Sequence, residues 1–166
     1  GPQSVHSWIM AQAHTGNVHM TTKSKNPLES SATHLLHRAG QRAADIFAEE
    51  AKKGGLTPRQ YAVLTAVSQE EGLPQAELVA RTGIDRSTLA DIVARLLSRG
   101  LIQRKRAKED GRAYAIKLSA KGAKALAKAR PAASAADSRL LAGLSATKRN
   151  EFLQTLAKIV ADGEDR

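Results

Sequence analysis

Residues 73–122, LPQAELVARTGIDRSTLADIVARLLSRGLIQRKRAKEDGRAYAIKLSAKG, change hydrophobic period once, and that change restricts the fold more than any other feature. Leu78, Val79, Ile84, Leu89, Ile92, Val93 and Leu96 fall where two crossed helices share one small core. Gly83 occupies the turn between them, and Asp85 is suited to cap the second helix, because its carboxylate can accept an orphan backbone N–H at the positive end of the helix dipole. That helix starts near Arg86 and closes at Gly100, where a left-handed cap is expected. From there Leu101 to Arg106 and Ala113 to Leu118 read with a period of two, with Tyr114, Ile116 and Leu118 on one strand face. The tip between them contains Asp110-Gly111, a pair that tolerates a tight turn.

Two helices followed by such a hairpin make a winged helix-turn-helix, so the expected fold is mainly α with a small β-hairpin wing. The wing carries Arg104, Lys105, Arg106, Lys108 and Arg112 against Glu109 and Asp110. That balance suits a phosphate backbone, and the expected partner is double-stranded DNA. A basic hairpin by itself is more often a solvated edge that discourages strand pairing, and a helix-turn-helix by itself also serves protein contacts. Their occurrence together and in this order favours DNA.

Charge follows the same division. The formal net charge is +10, and residues 74–122 hold eleven Lys/Arg against five Asp/Glu, so +6 of it falls in the reading unit. No long apolar run or aromatic-anchored basic helix points to a membrane. With no cysteine, disulfides, thiol redox sensing and cysteine-held zinc are excluded. A cytoplasmic protein fits this composition.

Outside the reading unit the chain reads as helices. Residues 1–20 carry no charged side chain and begin Gly-Pro, so they read as an expression leader with Met20 as the natural start. Residues 21–55 form the N-terminal helix, expected to open at Asn26-Pro27 with a stripe of Leu36, Ala39, Ala43 and Phe47. Residues 56–122 are the winged helix-turn-helix. Its first helix opens at Thr57-Pro58 and turns Tyr61, Leu64 and Val67 inward, and a short helix covers 75–81. Residues 123–166 supply the C-terminal helices, with a kink or pause expected at Pro131. Ser145 is expected to cap a last helix carrying Phe152, Leu153, Leu156, Ile159 and Val160. These outer apolar faces need cover, either from a second subunit in a twofold homodimer or from their own chain.

The order of elements, and above all IDRSTLADIVARLLSRGLIQRKRAKEDGRAYAIKLSAKG, resembles the MarR family of transcriptional regulators over about residues 28–162. Its most specific parts are Asp110-x-Arg112 and the Leu118-Ser119-x-x-Gly122 passage into a long helix. The resemblance implies a dimer through the terminal helices, a fourth helix in each major groove, Arg112 in the minor groove and Asp110 steadying it. Ser87, Thr88, Ala90 and Asp91 are the expected base-edge neighbours, and Arg86 and Arg95 serve phosphates or bases. Asp91 departs from the basic or hydroxyl residue frequent in relatives, although an aspartate can accept from cytosine N4. Arg95 also has a purely internal role open to it, as an i,i+4 ion-pair partner of Asp91.

The same resemblance implies a small effector, an aromatic acid or a related acyl-CoA. His34, His37, Arg38, Gln41 and Asp45 form a polar stripe that suits it, with Tyr61 nearby, or else a solvated helix face. His34 and His37 alone do not complete a metal site, and no cofactor is expected. No phosphate-binding glycine loop, activated nucleophile or paired carboxylate is recognisable, so an enzyme is not expected. The reading that follows is a dimeric repressor on a pseudo-palindromic operator, released by that effector. The alternative is a ligand-insensitive architectural DNA-binding protein.

Overall fold

The structure is a computed structural model and describes residues 26–53, 55–106 and 114–164. The leader at 1–20 and the wing tip therefore lie outside the described residues. The chain divides between Gln41 and Arg42 into two units.

In the first unit the Asn26 side chain accepts from Leu28 N at 3.0 Å, as a cap should. What it opens is a 3-10 turn, Pro27–Ser30, and not the long helix. Ser31 is extended, and its Oγ accepts from His34 N at 3.2 Å, so a second cap starts α1 (Ala32–Ala51). Two capping residues in succession divide what the sequence reads as one start. Leu28, Leu35, Leu36 and Ala39 are exposed, so the expected inward stripe is absent over these residues.

In the second unit the end of α1 buries Ile46 and Phe47. Thr57 and Gln60 form a reciprocal capping box at the head of α2 (Pro58–Gln69), with both bonds at 3.1 Å. Helix α3 (Gln75–Thr82) ends at Gly83, whose φ of +69° a side chain would resist. Helix α4 (Arg86–Ser98) follows. Strands β2 (Ile102–Arg106) and β3 (Tyr114–Leu118) pair antiparallel, with Ile102 opposite Leu118 and Arg106 opposite Tyr114. A two-residue strand β1 (Leu73–Pro74) adds to the other edge of β3, giving the order β1-β3-β2. The hairpin is thus one part of a three-stranded sheet.

Val63, Leu64, Leu78, Leu89, Leu96 and Ile116 are fully buried in one cluster drawn from α2, α3, α4 and β3. Helix α5 (Ala120–Leu140) joins that cluster through Leu126 and Ala129. Further along, Ala133 and Ala136 pack with Ile46 and Phe47. Pro131 lies inside α5, and the helix runs on through it. The first turn of α5 meets the end of α4 closely. Ser119 Oγ donates to the Gly100 carbonyl at 2.6 Å and accepts from Gly122 N at 2.9 Å. A Cβ on Gly122 would stand 1.8 Å from the Leu101 carbonyl oxygen, so only glycine fits. Last comes α6 (Ala146–Glu164), with Ser145 Oγ accepting from Lys148 N at 3.3 Å.

Candidate nucleic-acid interface

Helix α4 separates its faces cleanly. Leu89, Ile92, Val93 and Leu96 are buried, while Arg86, Ser87, Ala90, Asp91 and Arg95 are exposed and Thr88 is half-buried. The helix is fixed at its N-terminus by Asp85. One carboxylate oxygen accepts from Thr88 N at 2.9 Å and from Ser87 Oγ at 3.0 Å, and the other from Thr88 Oγ1 at 2.7 Å. The backbone bond from Thr88, helped by the two hydroxyls, lowers the Asp85 pKa to about 2. Both hydroxyls thus spend their protons on the cap and offer lone pairs outward. A base donor such as an exocyclic amino group suits them better than a base acceptor.

Asp91 and Arg95 form the i,i+4 pair, Nε to Oδ2 at 3.5 Å, with both side chains about two-thirds exposed. An exposed pair of this kind contributes little and is screened by salt, so it opens readily toward a stronger partner.

On the sheet, Arg104, Lys105 and Arg106 are exposed. Arg104 and Arg106 share a face with Tyr114, and their guanidinium carbons lie 4.5 and 5.8 Å from the centre of its ring. A hydrogen bond with Arg106, and then the charge of Arg106, holds the Tyr114 phenol below its usual range. The ring limits where two long cationic side chains can point. The period-two pattern groups Tyr114 with Ile116 and Leu118 on one strand face and says nothing of the arginines across from it. The signal for its second role is that positions 104, 106 and 114 share one side of a paired hairpin. Lys108, Asp110 and Arg112 lie outside the described residues.

The effector candidates belong to both units. His34, His37, Arg38 and Gln41 share one face of α1 by their spacing, with His34 half-buried and the other three exposed. Tyr61, on α2, is half-buried with its ring centre 5.8 Å from that of Phe47, tilted by 52°. Among the described residues no cluster of three or more His, Cys, Asp or Glu could hold a metal, and no helix is long and apolar enough to cross a membrane.

A buried helix pair, an exposed second helix and a basic sheet define a winged helix-turn-helix DNA-binding protein. The comparisons with known proteins make this more specific. Residues 54–113 match the model of the MarR family. The regulator HosA of Escherichia coli is 32% identical over 133 residues, 80% of this chain and 97% of HosA. The repressor NicR of Pseudomonas putida is 32% identical over 152 residues, 87% of this chain and 96% of NicR. The chain belongs to the MarR family of transcriptional regulators. Among solved structures it is similar to PcaV of Streptomyces coelicolor in complex with its natural ligand (TM-score 0.77, 29% identity, 84% of this chain, 98% of that one). It is also similar to the repressor CouR bound to a 23-mer DNA duplex (TM-score 0.76, 28% identity, 84% and 99%). A third is BpsR of Bordetella bronchiseptica, whose DNA binding is regulated by 6-hydroxynicotinic acid (TM-score 0.72, 27% identity, 77% and 97%).

Proposed function

We propose that this regulator is a homodimeric repressor that grips a pseudo-palindromic operator and is released by a small anionic aromatic compound, an acid or its coenzyme A thioester. The observation that carries the DNA half is the exposed face of α4, anchored by the Asp85 cap and flanked by the Arg104–Tyr114–Arg106 cluster. Two such faces, one per subunit, meet successive major grooves on one side of a duplex about 10 base pairs apart. Arg86 and Arg95 contact phosphates or bases, Ser87, Thr88, Ala90 and Asp91 lie along base edges, and Arg104, Arg106 and Lys108 track the backbone. Arg112 enters the minor groove with Asp110 beside it. Dimerisation is supported by apolar side chains left in water: Leu153, Ile159 and Val160 on α6 are each more than half exposed.

The effector half is supported by the His34, His37, Arg38 and Gln41 face and by the aromatic acid that regulates BpsR. Arg38 holds the anionic group and the imidazoles assist. By linkage, a ligand that releases the operator binds the DNA-bound dimer more weakly by the same factor, and tenfold release corresponds to about 1.4 kcal/mol of coupling. Calorimetric titration of hydroxylated aromatic acids into free protein and into the protein–operator complex tests both halves. The expected result is tighter binding to the free protein and loss of that binding in Arg38→Ala. Equal affinity in the two states excludes release by that ligand, and an unaltered Arg38→Ala removes Arg38 from the site.

A further inference from the structure

One face of the wing changes character along its length. Pairing sets Ile102 opposite Leu118, Arg104 opposite Ile116 and Arg106 opposite Tyr114, so these side chains share one face of the sheet. At its inner end Ile102 and Ile116 are buried in the core. Farther out, the alternation that would continue an apolar face delivers Arg104 and Arg106, both exposed. On the other face of β3, Lys117 is paired with Glu71 at 3.1 Å. Among the described residues no carboxylate pairs with Arg104 or Arg106.

Two like charges at neighbouring positions of one strand face repel each other and, left alone, would spread apart. Tyr114 opposes this. It stands directly opposite Arg106 and diagonal to Arg104, with the Arg104 guanidinium carbon 4.5 Å and that of Arg106 5.8 Å from the centre of its ring. The negative face of an aromatic ring attracts a cation, and here two cations share one ring. Arg106 also hydrogen-bonds the phenol.

We infer that Tyr114 is a positioning residue for DNA binding: its ring holds Arg104 and Arg106 together on the core-side face of the wing, so that both meet phosphodiester groups already ordered. The inference rests on the proposed reading in which these two arginines track the duplex backbone, and it gives a part in binding to a side chain without formal charge. Arginine has many rotamers, and one ordered before the encounter forfeits less freedom on binding. The gain therefore lies in affinity and not in the number of charges engaged.

The test is fluorescence anisotropy with a duplex selected by the parent chain from a randomised library, repeated over a series of salt concentrations. Each phosphate contact contributes about 0.9 to the slope of log affinity against log salt, so Arg104→Ala and Arg106→Ala should each reduce the slope by about that amount. Tyr114→Leu keeps both charges and should weaken binding by roughly three- to tenfold at every salt concentration with the slope unchanged. Tyr114→Phe keeps the ring and should stay within about twofold of the parent. The decisive comparison is made in a chain that already lacks both guanidiniums, where Tyr114→Leu should have no further effect. A ring that touched DNA by itself, or that only stabilised the hairpin, would cost the same factor in either background. An ineffective Tyr114→Leu, an equal loss in Tyr114→Phe, or an equal loss in the doubly substituted chain would each overturn the inference alone. Slopes left intact by Arg104→Ala and Arg106→Ala would overturn it together with the reading beneath it, because the arginines would then not meet the duplex.

Discussion

Helices α4 and α6 carry similar amphipathic patterns and meet opposite fates. In α4 four apolar side chains are buried inside the chain's own core. In α6 none of residues 146–163 is buried, although Phe152, Leu153, Leu156, Ile159 and Val160 sit at helical spacing. An amphipathic pattern states that a face needs cover and leaves open which chain supplies it. The apolar side chains of the reading unit are covered by their own chain, whereas one face of α6 leaves Leu153, Ile159 and Val160 exposed, which supports the proposed dimer.

The sharpest way to break this contrast is to damage both helices. Leu96→Ala should lower the unfolding free energy by about 2–5 kcal/mol, as removal of a fully buried leucine does, and urea titration measures it. Ile159→Asp should keep its helical circular dichroism and sediment as a monomer, whereas the parent chain is expected to sediment as a dimer. An Ile159→Asp chain that stays dimeric, or one that unfolds like Leu96→Ala, would erase the distinction.

Glycines sharpen it further, with opposite signs expected. Gly122→Ala forces a methyl group onto the Leu101 carbonyl and should destabilise by roughly 1–3 kcal/mol, in the range for overpacking. Gly163→Ala in α6 meets nothing within 4 Å, and its better helix propensity should stabilise by up to about 1 kcal/mol. Thermal melts of both variants decide whether α5 belongs to the close-packed region and α6 to the open one.

The smallest effect concerns the cap of α4. Asp85 has a lower pKa folded than its ordinary 3.8, so its contribution is complete above about pH 4 and is lost as pH falls toward about 2. Stability measured across that window should decline less steeply in Asp85→Asn than in the parent chain. Identical slopes would mean that the cap does not hold α4 in solution.

How much of this was legible in the sequence depended on the range of each signal. Asp85, Gly83, Gly100, Ser119 and Ser145 declare their roles through neighbours three or four residues away, and the helix boundaries they predict agree with those observed. Strand β1 escaped because two residues have no period, and its partner β3 lies some forty positions along the chain. Asn26-Pro27 misled because Ser31 offers a competing cap. Pro131 does not end α5, whose alanine-rich neighbours favour helix strongly on both sides. For the candidate site, the exposed face of α4 was readable from its buried one. The Tyr114 cluster needed the strand register.

The close seam at Gly122 also has a mechanical meaning. Ser119 donates through its Oγ to the Gly100 carbonyl and through its N–H to the Leu101 carbonyl, Lys121 donates to the Arg99 carbonyl, and Gly122 packs directly against Leu101, where α4 ends and β2 begins. With 21 residues α5 is a rod, and at 1.5 Å per residue it is about 31 Å long. A tilt of about 5° pivoting at Leu140 would sweep the opposite end through roughly 2.7 Å over that length. The welded joint would carry that displacement into α4 and the sheet together, so a small rotation about the far end of α5 would become a change of reach at α4.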